Sequence, residues 1–131
     1  MADPSPYGVR AGAGTLRSGE GVALPHAWTD EGVLAAPASN GGQVLHLAVA
    51  LCVLNDTYRE AARLGVPLAG VAVTADGGFD DAWRSTGIHY GVELDTSGDP
   101  DQVARLQEVV DQVAEIPRAL RAGADVRRSA P

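Results

Sequence analysis

From Val44 to Leu54 the chain reads VLHLAVALCVL, an apolar run broken only by His46. Asn40 stands where a helix N-cap belongs, with Gln43 three positions on as its capping-box partner. Polar residues return at Asn55, Asp56, Arg59 and Glu60, and Leu64-Gly65 followed by Pro67 closes the segment. Glycine suits the left-handed position after a helix, and proline cannot continue one. The pattern predicts a helix over 40–64. A helix apolar on nearly all sides must be buried, either in a core or between subunits. Everything else in the chain has to supply that cover.

The flanking segments predict strands on one side, and strands with shorter helices on the other. Residues 1–6 read as a loose tail and 7–39 as N-terminal strands with a connection. Tyr7 to Arg17 gives one strand or two, Gly21 to Trp28 another, in a meander; 29–39 connects them to the helix. Val66 to Asp80 and Gly87 to Leu94 predict an antiparallel pair. Asp99-Pro100 opens a second helix, with Asp as N-cap and Pro at N1. Val103, Leu106, Val109, Val110 and Val113 recur at helical spacing, so one of its faces is buried. A short helix over Glu115–Arg121, after a break at Pro117, and a final strand over Gly123–Arg128 complete the reading. The expected class is α+β, with antiparallel sheets on a long central helix. At 131 residues the chain is the size of a single domain, 1–131.

A formal net charge of −7 argues against nucleic acid as a partner, because a phosphate backbone needs a basic face. No apolar stretch reaches the roughly 20 residues that span a bilayer, so no membrane is expected. The N-terminus lacks a basic segment followed by an apolar one, so no signal peptide is expected. The single cysteine, Cys52, excludes an intramolecular disulfide. A reducing, cytoplasmic setting is the simplest expectation.

On an ideal helix Cys52 shares a face with Leu45, Ala48, Val49, Asn55, Asp56 and Arg59. The plain reading of Cys52 is a small buried hydrophobe. Asn55, Asp56 and Arg59 can be the helix emerging into solvent, where an Asp56–Arg59 pair is worth little. They can also be the polar end of a pocket: a carboxylate as general base, an amide and a guanidinium to hold an oxyanion. His46 lies about 120° around the helix from Cys52 and reads first as a core or interface histidine. His26, between Pro25 and Trp28, can line a pocket, and Trp28 can shape an apolar one. No His, Cys and carboxylate spacing suggests a metal site, and no cofactor motif is present.

The order of elements, with a cysteine inside the central helix, resembles the OsmC/Ohr family of thiol-dependent peroxidases and their OsmC-like relatives. Asn40-Gly41-Gly42-Gln43 stands at the start of the central helix, and LHLAVALC (Leu45–Cys52) matches its small and apolar body. ARLGVPL (Ala62–Leu68), then Val71-Ala72-Val73, looks like the helix exit and following strand. Glu115-Ile116-Pro117 stands where the family reads Cys-Pro. The resemblance implies an intertwined homodimer with sites at the subunit interface, which would cover the apolar helix. It places Cys52 at the peroxide-attacking position, Ile116 at that of the second, resolving cysteine, and Gly42 at that of an acidic residue that anchors a catalytic arginine. That arginine, from the N-terminal strands, would be Arg10 or Arg17.

With the second thiol and the carboxylate both absent, a two-cysteine cycle cannot run. The expectation is a divergent OsmC-like protein that binds or transforms an apolar small molecule at the dimer interface. Cys52, Asp56 and His46 are its catalytic candidates; His26, Trp28, Asn55, Arg59, Arg10 and Arg17 are its binding candidates. The alternatives are a one-cysteine organic hydroperoxide reductase served by an external thiol, and a non-catalytic dimeric binding protein.

Overall fold

The structure is a computed structural model that describes residues 5–131. Three strands come first: β1 (Val9–Gly14), β2 (Val22–Leu24) and β3 (Val33–Ala36). Helix α1 (Gly41–Leu64) follows, then β4 (Gly70–Phe79), β5 (Ser85–Asp95), α2 (Pro100–Val113) and α3 (Glu115–Ala122). The strands form one antiparallel five-stranded sheet in the order β2-β3-β1-β4-β5. The expected α+β architecture is therefore present, built on a single sheet.

Helix α1 starts and stops where its chemistry dictates. The Asn40 side chain accepts from the Gln43 backbone N–H at 2.9 Å, and the Gln43 side chain accepts from the Ser39 N–H at 2.8 Å. Gly65 closes the helix at φ 72°, with its N–H on the Ala61 carbonyl. The helix buries Leu47, Val49, Ala50, Val53 and Leu54 against one sheet face. That face is made of Val9, Ala11 and Ala13 of β1, Val33 and Ala35 of β3, and Val71, Val73 and Ala75 of β4, all buried. Because strand side chains alternate, these are the residues whose partners in register also face the helix. The alanines let a thick helix lie close to the sheet. Leu106 and Val110 of α2 and Val66 close the remaining side of the core.

Several boundaries differ from the sequence reading. The connection 29–39 contains β3, whose four consecutive apolar residues show no alternation of polar and apolar, yet Val33 and Ala35 are fully buried. The N-terminal strands are not a sequential meander: β3 inserts between β2 and β1. The break expected at Pro117 lies at Ala114; Pro117 sits in the first turn of α3, where a missing N–H costs no helical bond. Gly123–Arg128 forms no strand and is exposed, pairing with neither sheet edge, β2 or β5. Residues 1–4 of the expected tail lie outside the described residues. Ser5 is not loose: its N–H donates to Asp76 Oδ2 at 2.9 Å and its hydroxyl to the Gly77 carbonyl at 2.9 Å.

Two substitutions test this account by chemical denaturation. Leu54→Ala removes a fully buried side chain and is expected to cost about 2–5 kcal/mol. Asn40→Ala removes the cap alone and is expected to cost about 1 kcal/mol.

Candidate functional site

Cys52 is half-buried on α1, and groups from α1 and α3 meet around its sulfur. Asp56, one turn further on, is buried and brings Oδ2 to 3.8 Å from Sγ. Glu115, the first residue of α3, brings Oε2 to 3.7 Å. The Ile116 backbone N–H donates to the sulfur at 3.5 Å. Arg59 then ties the two carboxylates together, with Nη1 3.2 Å from Asp56 Oδ1 and 3.2 Å from Glu115 Oε1. One guanidinium thus serves two acids around one thiol.

The electrostatics follow from that crowding. Burial pushes the Asp56 carboxyl up to about 6, the hydrogen bond with Glu115 and its charge adding to the effect and Arg59 opposing it. Glu115, exposed and accepting from Asp56, is held down at about 2. The pair therefore releases its protons in two well-separated steps, the later one, from the buried Asp56, near 6. Burial also pushes the Cys52 thiol above its ordinary value; the Ile116 and Glu115 N–H groups oppose this, while both carboxylates reinforce it. A primed nucleophilic thiol needs the reverse environment.

Cys52 Sγ, Asp56 and Glu115 lie close enough together to offer three metal ligands. That triangle already has its cation: Arg59 bonds both carboxylates, and a thiol with a raised pKa is a poor ligand. The residues do not fit a metal better than they fit the arginine.

Two cavities open beside this cluster. The first, of about 160 Å³, is lined by Pro25, His26, Ala27, Trp28, Asn55, Asp56 and Arg59. His26 Nδ1 is 2.8 Å from Thr29 Oγ1, and its ring meets Tyr58 edge-on at 5.1 Å. Burial lowers the His26 pKa, with the neighbouring Asn55 side chain opposing. His26 Nε2 and Asn55 Oδ1 are buried without a hydrogen-bond partner among the described residues. The second cavity, of about 280 Å³, is apolar: Leu45, Val49, Ile88, Tyr90, Pro117 and Leu120 line it, with Arg121 at its edge. Leu45 and Val49 share one stripe of α1 with Cys52, and Pro117 follows Ile116, so the groove is walled by the neighbours of the residues that meet at the thiol.

The sequence candidates therefore divide. Cys52, Asn55, Asp56, Arg59, His26 and Trp28 come together. His46 does not join them: it is fully buried, its Nδ1 lies 2.7 Å from the Tyr7 carbonyl, and its ring stacks on Phe79 at 5.9 Å. Arg10 lies on the sheet face turned away from α1, where its Nη2 donates to the Leu16 carbonyl at 2.9 Å. Arg17 follows the turn after β1, and its Nε is buried without a partner among the described residues. Gly42, where the resemblance expects an acid, packs under Tyr7: a Cβ there would sit 2.5 Å from the ring. Glu115 is the site residue that sequence reading missed. Its one signal was adjacency to Ile116, the position set against the second cysteine.

Residues 35–128 match the OsmC-like protein family. The chain belongs to that family. An OsmC-like protein from Mycoplasma pneumoniae shares its fold at a TM-score of 0.59 and 11% identity, over 71% of this chain and 75% of that one. An OsmC-like hydroperoxide resistance protein from Jannaschia sp. CCS1 does so at 0.52 and 13%, over 93% of this chain and 92% of that one. No curated protein matches the chain. Within the OsmC-like frame, Ile116 does lie against Cys52, but it offers the sulfur a backbone N–H instead of a second thiol.

Two titrations test the cluster. The alkylation rate of Cys52 by iodoacetamide is expected to rise with a midpoint above the ordinary thiol value; a midpoint near or below neutrality would refute the geometry. For Asp56, a raised folded-state pKa stabilises through the neutral acid, fully below 3.8, and that gain is lost as pH rises through about 6. Asp56→Asn escapes the loss, so its stability relative to wild type should improve between pH 4 and pH 7 in denaturant melts.

Proposed function

We propose that this OsmC-like chain acts as a homodimer that binds an apolar small molecule in the groove beside Cys52. Asp56 would serve as its acid–base group and Cys52 as a pocket thiol, not a peroxide-attacking nucleophile. The observation that carries this reading is the environment of the sulfur. Two carboxylates flank it, its pKa is raised, and the nearest cation is spent on those carboxylates. An acid poised near 6 matches general acid–base work near neutral pH better than this thiol matches nucleophilic attack. The lone cysteine removes the internal resolving step whatever the thiol's reactivity. The mostly apolar lining of the groove supports an apolar ligand.

The dimer is supported by exposed apolar side chains on α1 and α3. Val44 of α1 is 48% exposed, and Ile116 and Leu120 of α3 are exposed as well. A pair of such faces would bury them mutually, as isologous interfaces do. A cytoplasmic setting fits a lone half-buried thiol, and among the described residues no helix is long and apolar enough to cross a membrane.

A one-cysteine hydroperoxide reductase is favoured by one observation, the Ile116 N–H aimed at Sγ, which would help hold a thiolate. Consumption of cumene hydroperoxide with dithiothreitol separates the readings. Wild type is expected to match Cys52→Ser and buffer; fast consumption lost in Cys52→Ser would establish the reductase instead. For the groove, Nile red is expected to bind wild type and to weaken at least tenfold in Leu120→Asp; unchanged binding would remove the groove as the ligand site. Light scattering is expected to give twice the 13.5 kDa of one chain, and a monomer would remove the interface.

A further inference from the structure

The sheet ends in two unlike edges. β2 is three residues long, whereas β5 runs for eleven and carries no proline or lysine to blunt it. The Asp95 carbonyl accepts from the Ala69 N–H on the β4 side at 2.8 Å, and the β4–β5 register is unbroken from Asp95 to Ile88. Backbone groups alternate sides along a strand, so His89, Gly91, Glu93 and Asp95 serve β4. Ile88, Tyr90, Val92 and Leu94 turn theirs to the open edge, where among the described residues they have no backbone partner. The side chains of these four pack on the core but are only half-buried, unlike Val71, Val73 and Ala75 of β4. The edge therefore lacks both a ladder and a cover.

The edge is also self-complementary. Consider a second copy set antiparallel to it, with a twofold axis through Gly91. Tyr90 then stands opposite the partner's Val92, and Ile88 opposite the partner's Leu94. On the other face His89 stands opposite the partner's Glu93, a ring N–H against a carboxylate, and glycine meets glycine on the axis. Aromatic with β-branched, apolar with apolar and donor with acid are favourable cross-strand pairs. The hydrogen-bond phase agrees. Tyr90 and Val92 both face the edge, so each can exchange N–H···O=C bonds with its counterpart, and Gly91 falls in a pair without such bonds.

We propose that β5 is the seam of the homodimer, joining the two sheets edge to edge about a twofold axis at Gly91. This rests on the dimer proposed above. The axis stands perpendicular to the sheet, so both helical layers lie on one side of a sheet of ten strands, five from each chain. Ile88 and Tyr90 also line the apolar groove. The seam sets the partner's Leu94 and the partner's Val92 beside that groove, so each ligand site draws on both chains. It also brings the two copies of α3 toward each other, which gives cover to Ile116 and Leu120.

Light scattering and a directed crosslink test the seam on the full chain. A Cβ at position 91 meets only Thr74 Oγ1, at 3.5 Å, so Gly91→Asp fits one chain but sets two carboxylates face to face across the axis. Gly91→Asp is expected to be a folded monomer by circular dichroism and light scattering, and Gly91→Ala a dimer. In a Cys52→Ser background, Gly91→Cys brings two Cα atoms to about 4.5 Å, within disulfide reach. Glu93→Cys leaves its two thiols about 13 Å apart along the strands. Mild oxidation is expected to crosslink the Gly91→Cys protein roughly tenfold faster than the Glu93→Cys protein. A dimer that persists in Gly91→Asp, or equal crosslinking at 91 and 93, overturns the seam and leaves the dimer itself standing. A wild-type monomer removes both. If Gly91→Asp does not fold, the crosslink decides alone.

Discussion

The contact between α1 and the inner face of the sheet governs the rest of this molecule. A helix of 24 residues needs a wide apolar surface to lie on, and β1, β3 and β4 provide one made largely of valine and alanine. Small side chains on the strands allow bulky ones on the helix. Leu47, Val53 and Leu54 fill the space that Ala11, Ala13, Ala35 and Ala75 leave open. The same seating fixes the rotation of α1, and so decides what its other faces meet. The stripe holding Leu45, Val49 and Cys52 runs along the edge of the core, with Val49 buried and Leu45 and Cys52 turned toward α3 and the β5 side.

That rotation explains how the site differs from what the family resemblance implied. An acid at position 42 would have no room, because Tyr7 packs on Gly42 and on Phe79, with ring centroids 5.1 Å apart. Acids reach the sulfur from elsewhere, Asp56 from the next turn of α1 and Glu115 from α3. The guanidinium beside these acids is that of Arg59 on α1, while Arg10 of β1 donates to the Leu16 carbonyl. Thiol, acid and guanidinium are all present, but their balance is altered. With two acids to one arginine, no cation is left to make the thiol acidic, and burial and both carboxylates hold its pKa up.

Much of the fold was legible because its signals are local. The Asn40 cap, the Gly65 stop and the β4–β5 pairing each rest on residues a few positions apart. β3 was not legible: four consecutive apolar residues show no alternation of polar and apolar, and their strand character comes from lying between β2 and β1. The C-terminal strand failed for the opposite reason. Its local composition permits a strand, but the segment pairs with neither edge of the sheet.

The site divides along the same line. The helical repeat alone set Cys52, Asn55, Asp56 and Arg59 on one side of α1, since residues three, four and seven apart must share a face. Glu115 could join them only through the chain's return across α2, and Cys52 and Glu115 stand 63 residues apart in sequence. His26 and Trp28 could flank them only because the segment after β2 passes over the exposed turn of α1. Sequence determined the composition of one helix face. Tertiary structure decided that two acids and not one would confront the thiol, because that count depends on long-range packing.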